Sequence, residues 1–143
     1  MIFLKIVVLD SYALNPGDLS WEWLEALGDC EIHHRTPQDK ILQRCKGADI
    51  ILTNKTPLTK ETLSQLPDLK YVALLSTGYN IVDWEYAKEI GVPVSNIPAY
   101  STNAVAQLTF SLILEITNAV GLHSESVKNG EWSSCPDFCY WKT

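Results

Sequence analysis

Glycine is sparse and scattered in this 143-residue chain: Gly17, Gly28, Gly47, Gly78, Gly91, Gly121 and Gly130 never come closer together than nine positions. That spacing excludes a G-x-G-x-x-G turn and a phosphate loop, so no recognisable dinucleotide-binding turn is present. Basic residues are also few, 11 against 17 acidic ones, giving a formal net charge of −6. Nucleic acid and anionic membrane surfaces are therefore not expected as partners, because both demand a basic face. The four cysteines, Cys30, Cys45, Cys135 and Cys139, form no framework and read as free thiols of a cytoplasmic protein. Cys135 and Cys139 lack the second Cys or His pair that a metal centre requires, so no metal site is expected. Histidine is scarcer still. His33 and His34 are neighbours on a strand and face opposite ways, and His123 falls late on a helix. None is an evident general base, and no Ser-His-Asp or Cys-His set can be assembled.

Residues 90–114 carry no charge, yet Pro93, Asn96, Pro98, Asn103 and Gln107 interrupt them, leaving the continuous apolar part too short for a membrane span. The opening Met1-Ile2-Phe3-Leu4-Lys5 has neither a basic leader nor a small-residue cleavage site, and reads as the approach to a first strand rather than a signal peptide.

What is present is a globular composition, 46% apolar and 20% charged, in a length that suits one domain with an appendage. Strand and helix signals alternate. Ile6-Val7-Val8-Leu9 is a β-branched run of the kind buried on both faces. Ser20 caps a helix through Leu27, which Gly28 ends, and Cys30–His34 is a second strand. Pro37 begins a helix to Cys45, closed by Gly47, before a third strand over Ala48–Leu52. Thr59 caps a short helix ending before Pro67, and Tyr71–Leu75 is a fourth strand. Asp83 caps a helix that stops at Gly91, and Val92-Pro93-Val94 is a fifth strand whose proline suits an edge. Such β-α alternation predicts an α/β fold: a flavodoxin-like parallel five-stranded sheet in the order 2-1-3-4-5, with helices on both faces.

From Thr102 the chain changes character. Val105, Leu108, Thr109, Leu112, Ile113, Ile116 and Val120 recur at helical spacing, predicting one long C-terminal helix capped by Thr102 and running to about Lys128, with Gly121 as the place for a bend. At the usual rise it is roughly 40 Å long. It would outreach a domain of ~100 residues, whose radius of gyration is about 13 Å. The division expected is 1–101 for the sheet domain and 102–143 for the connecting helix and tail. Trp132, Phe138, Tyr140 and Trp141 crowd the tail, either as a docking segment or as a tail folded back on its own domain.

Ligands of an open α/β sheet bind beyond the carboxyl ends of its strands. Those ends are Asp10-Ser11-Tyr12, Thr53-Asn54-Lys55, Ser76-Thr77-Gly78-Tyr79 and the stretch from Asn96. Gly78 lets a ligand approach the backbone, and the amides of Gly78 and Tyr79 can face a carboxylate; equally, Gly78 can simply make the turn into the next helix. Asn54 and Lys55 offer an amide and an ammonium, or form an ordinary solvated turn. The amides of the first turn after Thr102 either face a cofactor or are capped. Asp10 ends the first strand with no acidic companion in sequence.

Nearly the whole chain resembles the N-terminal part of the D-2-hydroxyacid dehydrogenases, and within them the glycerate dehydrogenases, also called hydroxypyruvate reductases. The resemblance rests on Lys5–Asp10, Leu14–Trp21, Leu52–Thr59, Thr77-Gly78-Tyr79-Asn80, Pro98–Ala106 and Gly130-Glu131-Trp132, in order and at matching spacing. It implies a flavodoxin-like substrate domain joined through a long helix to a Rossmann domain that binds NAD or NADP, with substrate in the cleft between. It implies that Ser76, Thr77, Gly78 and Tyr79 lie at the substrate carboxylate, with Asn54 and Lys55 on the cleft wall and Tyr100 on a loop near the substrate. Thr77, Asn103 and Val105 would lie near the nicotinamide. The family's catalytic arginine, its acidic partner and its acid/base histidine match no position here, nor does its glycine fingerprint. No catalytic residue is therefore assigned to this chain, no cofactor is expected to bind it tightly alone, and it is expected to be inactive by itself. The implied substrates are small 2-oxoacids and 2-hydroxyacids, hydroxypyruvate and glycerate foremost; the implied partners are the Rossmann domain and a second subunit in a homodimer. Ser76 stands where many members have glycine, and Gln107 where many have glutamate. A receiver-type signalling module shares the strand order, but its phosphate-accepting site at the end of the third strand reads Leu52-Thr53-Asn54 here, without aspartate. A flavodoxin would need a hydroxyl-rich loop where Asp10-Ser11-Tyr12-Ala13 stands.

Overall fold

The computed structural model describes residues 4–137 and Cys139, so Phe138, Tyr140 and Trp141 of the aromatic tail lie outside the described residues. The chain divides into two compact units, Met1–Ala99 and Tyr100–Thr143.

The first unit is built on five parallel strands: β1 (Leu4–Val8), β2 (Gly28–Ile32), β3 (Ile50–Thr53), β4 (Tyr71–Leu74) and β5 (Val94–Ser95). Their order is β2-β1-β3-β4-β5, as the alternating pattern predicts. β1 pairs on both sides, Ile6 opposite Cys30 and Ile50, and its residues alternate between two cores. Val7 and Leu9 join Ile51, Val72, Leu74, Leu58 and Val82 on one face; Ile6 and Val8 join Leu52 and Leu24 on the other. Burial on both faces is why the run is uninterruptedly apolar.

Helices α2 (Ile41–Cys45), α3 (Lys60–Leu63) and α4 (Trp84–Glu89) cover the first face through Ile41, Cys45, Leu63 and Ala87. Burial pushes the Cys45 thiol up to about 12, well above the ordinary range. Among the described residues only α1 (Glu22–Glu25) contributes a buried helical side chain, Leu24, to the second face. Two caps are as the sequence implies: the Thr59 hydroxyl accepts from the Thr62 amide and the Asp83 carboxylate from the Tyr86 amide. Gly47 and Gly91 hold left-handed φ of 74° and 77° past the ends of α2 and α4.

Several boundaries differ from expectation. The first helix is a single turn starting after Trp21, although the Ser20 hydroxyl does accept from the Glu22 amide. Gly28 opens β2 rather than ending the helix, because pairing with Leu4 draws the strand start forward. A Cβ on Gly28 would lie 2.2 Å from the Leu4 carbonyl oxygen, so no larger residue fits there.

The second unit holds α5 (Thr102–Asn118), α6 (Val120–Lys128) and α7 (Glu131–Ser134). The predicted continuous helix from Thr102 to Lys128 is instead broken, with a bend of 60°. The break lies at Ala119, not at Gly121: Ala119 adopts φ 44° and ψ 47°, left-handed for a residue that carries a Cβ. Gly121 is helical, and its amide donates to both oxygens of Glu115 at 3.1 and 3.2 Å, so Glu115 satisfies an orphan donor of α6. Thr102 is the first helical residue and Ser101 holds the N-cap position, without a side-chain cap bond. No residue of α5 is buried; Phe110 is 67% and Ile116 83% exposed. Among the described residues no single helix is long and apolar enough to cross a membrane; α5 and α6 meet that measure only together, across their bend, by length and composition alone.

The left-handed Ala119 gives the bend a signature. Ala119→Val crowds the left-handed region and should cost at least about 1 kcal/mol, whereas Ala119→Gly should be neutral or slightly stabilising. A straight helix would reverse the order, glycine then being the costlier by a few tenths of a kcal/mol. Thermal denaturation followed by helical circular dichroism distinguishes the two.

Candidate functional site

The carboxyl ends of β1, β3 and β4 share one edge of the sheet, and the loops leaving them are held by named bonds. Asp10 is 6% exposed, and its Oδ1 accepts from the Asn54 amide at 2.8 Å. Its Oδ2 accepts from the amides of Lys55 and of Thr56, the latter at 2.9 Å. A buried carboxylate needs such donors to offset its lost hydration. Thr53 completes the turn, its hydroxyl donating to the Thr56 carbonyl at 2.9 Å. The backbone thus presents Asn54, half-buried, and Lys55, exposed, beyond β3.

Beyond β4, Ser76 is buried and its hydroxyl donates to the Gly78 carbonyl at 2.8 Å. Thr77 donates to the Ile97 carbonyl at 3.0 Å, Asn96 Nδ2 donates to the Thr77 carbonyl at 2.8 Å, and the Ile97 amide bonds the Ser76 carbonyl at 3.0 Å. The turn is therefore pinned to the strand that follows it, while Thr77, Gly78 and Tyr79 remain exposed. Among the described residues, neither the Gly78 nor the Tyr79 amide hydrogen-bonds to another protein group. Gly78 does not adopt a left-handed φ, so these amides are not the alternating nest of a phosphate loop. A Cβ on Gly78 would meet only Asn80 Oδ1 at 3.5 Å, an ordinary contact.

Two hollows flank this edge. One of about 720 Å³ lies along β5, walled by Tyr79, Trp84, Lys88, Pro93, Val94 and Asn96; the Tyr79 and Trp84 rings meet edge to face at 6.4 Å. The other, of about 350 Å³, opens beside Asp10 and is walled by His34, Arg35, Thr36, Lys55 and Pro57. The candidate residues thus separate: Ser76, Thr77, Gly78 and Tyr79 form one group pinned to Asn96 and Ile97, while Lys55 lines the hollow beside Asp10. Tyr100, Asn103 and Val105 belong to the second unit, the latter two on the first turn of α5, and all three are exposed.

His33 and His34 do face apart: His34 lines the hollow and meets the Ser11 hydroxyl at 3.3 Å, and His33 does not. Desolvation and the nearby Arg44 hold His33 below the usual imidazole range, against the pull of Glu31 3.8 Å away. Asp49, at the opposite end of the sheet, is held low by Lys70 and by the Lys5 amide and is structural. Among the described residues no group of His, Cys, Asp and Glu is arranged to hold a metal. Sequence reasoning missed Asp10 as the anchor of the loop after β3. A lone acid ending a buried strand, facing a loop rich in free amides, is the signal that could have found it.

Residues 6–136 match the model of the D-isomer specific 2-hydroxyacid dehydrogenase catalytic domain. The chain belongs to this family. A hydroxypyruvate reductase of Blautia hydrogenotrophica is 49% identical over 141 residues, covering 96% of this chain and 44% of the relative. A glycerate dehydrogenase of Methylorubrum extorquens is 39% identical over 137 residues, covering 96% and 43%. Among solved structures, an acyclic imino acid reductase in complex with NADPH and D-Arg superposes with a TM-score of 0.72 at 29% identity, covering 89% of this chain and 41% of that one. The chain thus spans less than half the length of the family members it matches.

Removing the Asp10 carboxylate strips the Asn54 and Lys55 amides of their acceptor and leaves the Thr56 amide only the Thr53 hydroxyl at 3.2 Å. Asp10→Ala should cost about 2–4 kcal/mol, read as a fall in the denaturation midpoint, with faster hydrogen exchange at Asn54, Lys55 and Thr56. Unchanged exchange at those amides would contradict the anchor.

Proposed function

We propose that this chain forms the substrate-side wall of an oxidoreductase that transfers hydride between NAD(P)H and a small 2-oxoacid, hydroxypyruvate and glycerate being the preferred pair. The observation that carries the reading is the turn after β4: an exposed threonine hydroxyl and two unclaimed amides at Gly78 and Tyr79, on a backbone pinned by Asn96 and Ile97. A carboxylate can accept from those amides, with Gly78 allowing close approach. The names of the relatives from Blautia hydrogenotrophica and Methylorubrum extorquens support the substrate class.

The residues described here fit only one side of a nicotinamide cofactor. Thr77 is exposed on the first unit and can border its ring, whereas Asn103 and Val105, exposed on the second unit, are assigned to it by the family resemblance alone; no glycine-rich turn for its pyrophosphate exists in the sequence. When bound, NAD(P)H supplies the hydride. A Rossmann domain outside this chain would hold it and would supply the arginine, acid and histidine of the family; the same division puts residues 1–101 in the substrate domain and 102–143 in the connection. This chain would bind and orient: Ser76 through Tyr79 on the carboxylate, Asn54, Lys55 and Tyr100 along the wall. The wholly exposed α5 supports a homodimer, since Val105, Leu108, Ile113 and Ile116 leave it much apolar surface to cover. A cytoplasmic location belongs to the same reading.

Two measurements test it. The purified chain with NADH and hydroxypyruvate should show no turnover above background, and sustained turnover would defeat the assignment of catalysis elsewhere. In the full-length protein that carries this segment, Gly78→Ala should leave stability within about 0.5 kcal/mol, because the fold has room for the methyl group, yet raise KM for hydroxypyruvate about tenfold. An unchanged KM would sink the carboxylate role of the turn.

A further inference from the structure

The hollow beside Asp10 runs against the net negative charge of this chain. Its wall carries Arg35 and Lys55, with the His34 ring and the Gln38 amide as further donors, against a single carboxylate. That carboxylate is already satisfied, since both Asp10 oxygens accept from the amides of Asn54, Lys55 and Thr56. Neither Arg35 nor Lys55 takes part in an ion pair among the described residues. Arg35 is nonetheless held in place: its guanidinium lies 4.8 Å from the centre of the Tyr12 ring, which in turn meets the His34 ring edge to face at 6.4 Å. Arg44 adds a further positive charge just behind, its Nη1 donating to the Arg35 carbonyl at 2.7 Å and to the Thr36 hydroxyl at 2.8 Å. Two unpaired cations, one of them pre-positioned over an aromatic face, favour an anion over a neutral ligand.

We propose that this hollow binds a phosphate group, free or on a small monoester. A planar guanidinium and an ammonium suit a tetrahedral oxyanion. Ala13, Ile41 and Pro57 supply apolar wall for a short carbon body, and a volume of about 350 Å³ exceeds what bare phosphate needs. The site is separate from the substrate turn. Arg35 follows β2, which is three strand spacings from β4 in the sheet, roughly 14 Å, so a three-carbon acid on the substrate turn does not reach Arg35, and Lys55, after β3, stands between the two. The two sites meet through Lys55, whose loop also borders the proposed substrate wall, so an anion held here would bear on the substrate side of the sheet.

The chain is titrated with inorganic phosphate, and separately with glycerol 3-phosphate, at constant ionic strength, following phosphorus line width and the imidazole proton resonances of His34. Saturable binding at millimolar concentration is expected, with the His34 resonances shifting. Arg35→Gln should weaken it about tenfold, the loss expected for one charge-assisted hydrogen bond. Arg35→Lys, which keeps charge but not the fork, should weaken it less, and circular dichroism establishes that each variant is folded. Tighter binding of the ester identifies a monoester as the ligand; equal binding identifies free phosphate. No saturation by about 50 mM, where binding cannot be told from general screening, overturns the proposal. So does saturable binding that Arg35→Gln leaves intact. Binding abolished by Thr77→Val but not by Arg35→Gln would move the anion to the turn after β4, overturning this site and leaving the proposed substrate wall standing.

Discussion

Asp10 sits where the first strand ends, and the loop after β3 hangs on its two oxygens. That loop runs on to Leu58, whose amide bonds the Ile81 carbonyl and whose carbonyl accepts from the Asp83 amide. Asp83 in turn caps α4. One buried acid is therefore the first member of a relay of hydrogen bonds along the carboxyl edge of the sheet, from β1 through the β3 loop to the helix that follows the Gly78 turn. Burying a carboxylate costs free energy unless donors surround it. Here the donors belong to the segment that has to be placed, so the cost and its remedy fix the same geometry.

The edge that results is divided in chemistry. Toward β5 the turn at Thr77, Gly78 and Tyr79 is pinned by Asn96 and Ile97 and keeps two amides unclaimed. Toward β2 the wall is cationic, with Arg35 over Tyr12 and Lys55 beyond the Asp10 anchor. In a chain of net charge −6 the hollow at this end of the sheet sets two cations against one carboxylate. Local potential at the mouth of a cleft, rather than net charge, decides which small ions gather there.

The sheet was legible because its signals are local and redundant. Ile6 to Leu9, Ile50 to Leu52 and Tyr71 to Leu74 are apolar runs bounded by turn residues, and Thr59, Asp83, Gly47 and Gly91 mark helix ends by chemistry that works within a few residues. The misplaced features depend on contacts distant in sequence or on competing local choices. Gly28 reads as a helix stop, but pairing with Leu4 recruits it into β2. Gly121 reads as the natural break in the long helix, yet Glu115 claims its amide and the bend falls on Ala119. On the carboxyl edge, Thr77 and Gly78 were visible as a turn. The role of Asp10 was not, since its partners lie more than forty positions away, and Arg35 drew no notice because its distinction comes from the rings beside it.

Cys45 is wholly enclosed on the helix-covered face of the sheet, and burial keeps it in the unreactive thiol form. An alkylating reagent can reach it only when α2 lifts away, so the pace of its modification under native conditions counts those openings directly. Cys139 is exposed and carries no such protection. A single molecule thus contains both a gauge of excursions from the native state and, in the same reaction, an internal standard for the reagent itself.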